Sequence, residues 1–210
     1  MKKELIEAIK AEYPNPTCEL KFSSPFELLV AVILSAQCTD KRVNEVTKEL
    51  FKVASTPQDF VKMPLKELEQ HIFSCGFYHN KAKAIKEAAT DIVEKFGSNL
   101  PSTMEELKSL SGVGTKTASV VLSMAFKRPA LAVDTHVFRV SNRLGVAEAK
   151  TADEMHKKLL VAVPKDFWID YHYSIVLHGR YICKSQKPAC DKCALSKYCQ
   201  YYKKEKKGVC

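Results

Sequence analysis

Apolar residues recur every three to four positions along most of this chain, and no stretch alternates with the period of two that a half-buried strand requires. The expected fold is therefore all-α. A first amphipathic run covers residues 4–12 and is stopped by Pro14-Asn15-Pro16. Ser24-Pro25-Phe26-Glu27 has the spacing of a capping box with proline at the first helical position, and the apolar run behind it predicts a buried helix over 25–37. Further helices are expected over 40–53, 64–74 and 80–96, the last closed by Gly97. Ser102 with Glu105, and Thr151 with Glu154, repeat the capping-box spacing and predict helix starts near 103 and 152. An aromatic-rich helix is expected over 166–182, where His172 and His178 read as packed or hydrogen-bonded.

The segment 102–145 departs from ordinary helix packing. A short helix ends at Leu110, Ser111-Gly112-Val113-Gly114 makes a tight turn, and an apolar helix resumes over 115–126. Arg128-Pro129 breaks it, 130–133 runs extended, and Asp134 stands where the next helix needs its N-cap. Two glycines flanking one residue allow dihedrals closed to other residues and a close approach to a partner. The helix behind them presents unsatisfied N–H groups and a positive dipole end, which together suit a phosphate. The same pattern also makes a plain connector between helices. Lys116 changes the balance, because a cation on the first turn of a helix is electrostatically unfavourable and seldom placed there for stability. Disfavouring the ammonium form is how a lysine becomes a nucleophile. The alternative is an exposed lysine with its head in solvent.

Charge and cysteine usage narrow the partners. The 210 residues carry a formal net charge of +9 and nearly half are apolar, so a globular protein with a polyanionic partner is expected, nucleic acid first. The longest apolar run, 26–34, falls far short of the roughly 20 residues of a membrane helix. Lys2 and Lys3 precede a run interrupted by Glu7 that is too short for a secretion signal, so a cytosolic protein without a membrane partner is expected. In that compartment eight cysteines argue against a disulfide framework. Cys18, Cys38 and Cys75 are scattered and read as small buried apolar residues, and Cys210 as a free thiol at a frayed end. Cys183, Cys190, Cys193 and Cys199 instead follow Cys-x6-Cys-x2-Cys-x5-Cys. Four thiolates suit zinc or a [4Fe–4S] cluster, and the single short hook favours the cluster over zinc, which commonly pairs two. Lys184 and Lys187, around Pro188, would offer cations to a phosphate backbone from the loop between the first two cysteines. The tail, with Lys203, Lys204, Lys206 and Lys207, is expected to be partly disordered.

Leu110-Ser111-Gly112-Val113-Gly114-Thr115-Lys116-Thr117-Ala118, followed by Val133-Asp134-Thr135-His136-Val137-Phe138-Arg139, resembles the helix-hairpin-helix plus Gly/Pro-loop-aspartate motif of DNA glycosylases. Lys116 within it marks the endonuclease III branch, and the cysteine spacing is similar to that family's [4Fe–4S] loop. The resemblance covers about residues 25–199. It implies two helical domains with a DNA cleft between them, Lys116 and Asp134 facing each other across it. Residues 21–129 would form a six-helix domain with the hairpin, and 1–20 with 130–210 a discontinuous four-helix iron–sulfur domain. It also implies DNA contacts from Gly112, Gly114, Thr115, Lys184 and Lys187, with His136 touching DNA or orienting its loop.

By the same resemblance, Gln37 in Leu34-Ser35-Ala36-Gln37-Cys38-Thr39-Asp40 and Phe77 in Gly76-Phe77-Tyr78 fill the gap left by an extruded nucleotide. Phenylalanine stands where the common pattern has leucine, and apolar wedges of either kind can enter a base step. The residues alone leave open a core aromatic for Phe77 and a buried, hydrogen-bonded amide for Gln37. The implied activity is that of a monomeric, nucleoid-associated base excision repair enzyme acting on double-stranded DNA. It would remove oxidised pyrimidines and cut the abasic strand by β-elimination through a Lys116 Schiff base, Asp134 stabilising positive charge, with no metal in the chemistry. Two alternatives stay open: a mismatch-thymine or pyrimidine-dimer glycosylase on the same scaffold, and a non-catalytic iron–sulfur DNA-binding or redox module. The retention of both Lys116 and Asp134 argues against the second.

Overall fold

The computed structural model describes the backbone of residues 1–207 and the side chains of 1–205, so Cys210 and the Lys206 and Lys207 side chains lie outside the described residues. The described chain is helical, with no strand among its residues, as its periodicity implies. The helices are α1 (Lys3–Glu12), α2 (Pro25–Ser35), α3 (Asp40–Val53), α4 (Pro57–Lys62), α5 (Leu65–Ile72), α6 (Tyr78–Phe96), α7 (Met104–Ser109), α8 (Thr115–Ala125), α9 (Thr135–Leu144), α10 (Ala152–Ala162), α11 (Trp168–Tyr181) and α12 (Gln200–Lys207). Contacts divide them into two compact units, Glu19–Arg128 and Met1–Cys18 with Pro129–Cys210. No helix among the described residues is long and apolar enough to cross a membrane.

In the unit Glu19–Arg128, α2 is apolar on every face and buried from Phe26 to Leu34, which makes it a central helix rather than an amphipathic cover. Helices α3, α6 and α8 pack on it, and α4 and α5 pack on α6. Its start follows the expected chemistry: Ser24 Oγ accepts from the Glu27 N–H at 3.1 Å, and the Glu27 carboxylate accepts from the Ser23 N–H at 2.5 Å. Its end does not. Ala36 leaves helical dihedrals and Gln37 turns left-handed (φ 52°), so the helix stops at Ser35 instead of reaching Gln37.

Two further differences have local causes. Helix α4 has no counterpart among the expected elements, because six residues carry too little periodicity and its capping box, Thr56 with Asp59, uses aspartate rather than Glu or Gln. Helix α7 is capped by Thr103, whose Oγ1 accepts from the Glu106 N–H at 3.3 Å, so the overlapping Ser102/Glu105 pair loses by one residue. That phase buries Leu107 and Leu110.

The other unit is built on α9 against α11, with α1 on α11 and α12 on α9. Leu5, Ile9, Val137, Val140, Leu144, Met155, Leu159, Tyr171, Ile175 and Leu195 fill its core. The Tyr171 hydroxyl is fully buried and pairs with Ser141 Oγ at 2.8 Å. The expected helix over 166–182 appears as a 3-10 turn, Lys165–Phe167, running into α11. His172 and His178 are buried and hydrogen-bonded on it, to the Ala132 carbonyl at 2.9 Å and the Tyr13 hydroxyl at 3.0 Å. The described part of the tail is helical from Gln200 to Lys207, so Lys203 and Lys204 sit on an ordered helix, and residues 208–210 lie outside the described residues. Tyr201 and Tyr202 anchor that helix against the core, and the Arg143 guanidinium lies 4.7 Å from the Tyr201 ring centre.

Candidate active site and cysteine loop

The hairpin joining α7 to α8 turns at Gly112, whose φ of 73° favours glycine for conformational reasons. Space makes the same demand: a Cβ there would stand 2.7 Å from the Ala84 side chain of α6. Val113 is buried and pegs the turn, and its N–H donates to the Leu110 carbonyl at 3.2 Å. Gly114 differs, having an ordinary negative φ and no neighbouring atom within 4 Å of where a Cβ would stand. Its missing side chain leaves open space at the start of α8 for no reason of packing.

Six helices begin under a Ser, Thr or Asp side chain that accepts a backbone N–H. Helix α8 has no side-chain cap. Its first N–H groups therefore keep their donor capacity and the positive end of the helix dipole is left unneutralised by its own cap. Thr115 and Lys116 are exposed on that first turn, beside exposed Gly112 and Gly114. Asp134 stands at the N-cap of α9, as expected; its Oδ1 accepts from the Val137 N–H at 2.7 Å, and it is half-buried.

Gln37 and Phe77 are brought together in the unit Glu19–Arg128. The turn after α2 and the turn before α6 abut: a Cβ on Gly76 would lie 3.8 Å from the Gln37 carbonyl. Phe77 is 64% exposed, which removes the core-aromatic reading, and Gln37 is exposed too, which removes the buried-amide reading. Both residues are left-handed, with φ of 52° and 57°. Such dihedrals cost a non-glycine residue roughly 1–3 kcal/mol and concentrate at functional turns. His136 is engaged within its own unit. Its Nδ1 is 3.1 Å from Arg139 Nη2, it packs on Gly179 of α11, and burial holds its pKa below the ordinary imidazole value.

Cys183, Cys190, Cys193 and Cys199 line one cavity together with Arg143, His178, Tyr201 and Tyr202. None of the four is joined in a disulfide. Burial first, then the neighbouring thiols, raises Cys190 and takes Cys193 up to about 11. Among the described residues, no three His, Cys, Asp or Glu side chains are grouped as a single metal ion would need; the four thiols border a shared cavity instead. Lys184 and Lys187 are exposed on the loop, Lys187 with φ 47°.

The residues that shape this loop are not singled out by any sequence pattern. Arg143 donates to the Lys184 and Ser185 carbonyls at 2.6 and 2.9 Å and lies 3.4 Å from Cys183 Sγ. Arg139, one turn earlier on α9, donates to the Cys183 and Gly179 carbonyls at 3.2 and 2.9 Å. His178 Nε2 lies 3.5 Å from Cys193 Sγ while its Nδ1 meets the hydroxyl of Tyr13, the residue that follows α1. The i, i+4 spacing of the two arginines is visible in the sequence, but their acceptors are about forty residues away and only folding supplies them.

Residues 30–165 match the HhH-GPD superfamily of base excision DNA repair proteins. Endonuclease III of Bacillus subtilis is 49% identical over 199 residues, 94% of this chain and 91% of that protein. Endonuclease III of Haemophilus influenzae is 45% identical over 96% of this chain and 95% of its own. This chain belongs to the endonuclease III family. As a member it is a base excision repair enzyme, a DNA glycosylase and abasic-site lyase. The structure of a non-covalent endonuclease III–DNA complex superimposes with a TM-score of 0.91 at 44% identity, covering 99% of both chains.

The two hairpin glycines should separate in a stability measurement. Gly112→Ala meets Ala84 and a left-handed φ, and is expected to lower urea stability by about 1–3 kcal/mol. Gly114→Ala meets neither and should stay within about 0.5 kcal/mol of the parent. Equal losses would show that the turn does not depend on Gly112 in this way.

Proposed function

We propose that this endonuclease III family member removes oxidised pyrimidines from double-stranded DNA and cuts the resulting abasic strand, with Lys116 as nucleophile and Asp134 as electrostatic partner. The observation that carries the reading is an exposed primary amine on the first turn of an uncapped helix, directly behind a glycine turn. The proposed setting is nucleoid DNA engaged by a single chain. The structurally similar endonuclease III solved with DNA supports the choice of partner.

The uncapped N–H groups of α8 and the hairpin backbone around Gly112, Gly114 and Thr115 would bind backbone phosphate, with Lys184 and Lys187 adding charge from the cysteine loop. His136 is assigned the orienting alternative, because its ring is engaged by Arg139 and Gly179. Extruding the damaged nucleotide costs a few kcal/mol, less where the base pairs badly. Gln37 and Phe77, exposed on abutting left-handed turns, would fill the vacated space.

In the chemical step the Lys116 amine attacks C1′ of the sugar and the N-glycosidic bond breaks, its electron pair leaving with the base, which takes up a proton. The Asp134 carboxylate stabilises the positive charge that develops on the sugar. The sugar ring opens to a protonated Schiff base on Lys116. Loss of a C2′ proton then expels the 3′ phosphate by β-elimination, and water releases the lysine.

The four thiols bordering one cavity fit a four-iron, four-sulfide cluster held by Cys183, Cys190, Cys193 and Cys199. Such a cluster would supply a cross-link for the loop rather than a reaction step. Arg139 and Arg143 hold the loop's carbonyls, and His178 stands against Cys193.

Borohydride added to protein and a duplex bearing one oxidised pyrimidine should trap a covalent protein–DNA adduct that Lys116→Gln abolishes. Excision without trapping would remove Lys116 as nucleophile. Asp134→Asn keeps a good N-cap but loses the charge, so excision should fall at least about 100-fold while thermal stability holds. Asp134→Ala should lose about 1 kcal/mol of stability as well. Anaerobically purified protein should carry about four irons and four sulfides per chain, and Cys193→Ser should lower both. Full iron content in that variant would break the ligand assignment.

A further inference from the structure

Cys38 and Cys75, far apart in sequence, meet in the unit that does not hold the cysteine loop. Cys38 follows α2, its N–H donating to the Ser35 carbonyl at 3.1 Å, and Cys75 follows α5, its N–H donating to the Ile72 carbonyl at 2.8 Å. The neighbouring Gly76 and Gln37 backbones abut as described above, which brings the two cysteines together, each in the electrostatic surroundings of the other. Buried Lys81 of α6 completes the cluster, donating to the Leu34 carbonyl at 2.9 Å with its ammonium in the field of both sulfurs. Neither thiol takes part in the proposed chemistry. A pair of small apolar residues would fill the space without the reactivity.

We propose that Cys38 and Cys75 are a reversible dithiol–disulfide site whose oxidant is a low-molecular-weight disulfide, and that closing it pins the turns carrying Gln37 and Phe77. Burial assigns the order of events. Cys38 is half-buried and reachable, whereas Cys75 is fully buried and inaccessible to a bulky reagent. The Cys38 thiolate attacks one sulfur of the reagent, forming a mixed disulfide and expelling one thiolate. Cys75 then gives up its proton and attacks the Cys38 sulfur, expelling the second thiolate. Two protein thiols have lost two electrons and two protons, and one reagent disulfide has become two thiols. Burial, and after it the nearby Cys38, pushes the Cys75 thiol up to about 11, while Lys81 and Arg42 pull the other way. Cys75 is therefore the slow, resolving partner.

Each cysteine is one or two residues from a left-handed position, Gln37 beside Cys38 and Phe77 two beyond Cys75. A bond between the sulfurs joins two turns that otherwise meet only through packing. This consequence rests on the gap-filling reading of Gln37 and Phe77: residues that enter a duplex from two sides must be able to move apart. Oxidation would then weaken engagement of damaged duplex.

The test uses cluster-loaded protein treated anaerobically with oxidised glutathione, then peptide mapping. A cross-linked Cys38–Cys75 peptide, lighter by two hydrogens and reversed by dithiothreitol, is expected. Cys75→Ser should stop at a glutathione adduct on Cys38, and Cys38→Ser should leave Cys75 unmodified. A glutathione adduct that persists on Cys38 of the parent, or no modification there, overturns the site. Affinity for a duplex with an abasic analogue should fall several-fold on oxidation, recover with dithiothreitol, and stay constant in treated Cys38→Ser. A cross-linked protein with unchanged affinity overturns the pinning. Excision by the reduced protein is read in parallel, so a failure of the glycosylase reading shows there and a failure of the disulfide shows in the peptide map.

Discussion

A helix cannot satisfy its own first N–H groups, and the way this chain treats that constraint organises the structure around its chemistry. At several helices a Ser or Thr oxygen closes the start, as at Ser24, Thr39, Thr56, Thr103 and Thr151, while α1, α5, α6 and α11 begin without a side-chain cap. At α8 the side-chain cap is absent, and Gly114 leaves open space where a Cβ would stand at the helix start. Donors left open and a lysine placed in their field are poor choices for stability, and they are the features on which the proposed phosphate site and nucleophile rest. At α9 the same constraint is met by a carboxylate, and the capping bond from the Val137 N–H fixes Asp134 in orientation.

The cysteine loop meets the opposite problem, carbonyls that need donors in a segment with only two short 3-10 turns. Two arginines one turn apart on α9 answer it by donating to the carbonyls of Cys183, Lys184 and Ser185. The planar, multi-donor guanidinium suits this better than an ammonium. Arg143 also stacks on Tyr201, so the tail that charge alone would leave in solvent is drawn into helix α12. One helix thus carries the Asp134 cap at its start and supports the cysteine loop along its length.

The strained backbone sits in few places, and two of them matter. Gln37 and Phe77 hold left-handed dihedrals on abutting turns and expose their side chains. Packing of α2, α5 and α6 sets those turns, with the Cys38, Cys75 and Lys81 cluster beneath them. A chain that needed only connectors there would place glycine or asparagine.

Much was legible in the sequence because the signals are local. Helical periodicity, capping spacings, the hairpin glycines with Lys116, the Asp134 cap and the cysteine spacing each depend on residues within a turn or two of one another. Tertiary structure decided what depends on partners far along the chain. Helix α2 ends at Ser35 rather than Gln37, and the turn that follows it abuts Gly76. Gln37 and Phe77 face outward because neighbouring helices fill the core without them. Arg139, Arg143 and His178 found their partners only through packing, and Cys38 met Cys75 for the same reason. The physical distinction is between capping and periodicity, settled by neighbours in sequence, and the pairing of polar groups and thiols across space, which no local pattern encodes.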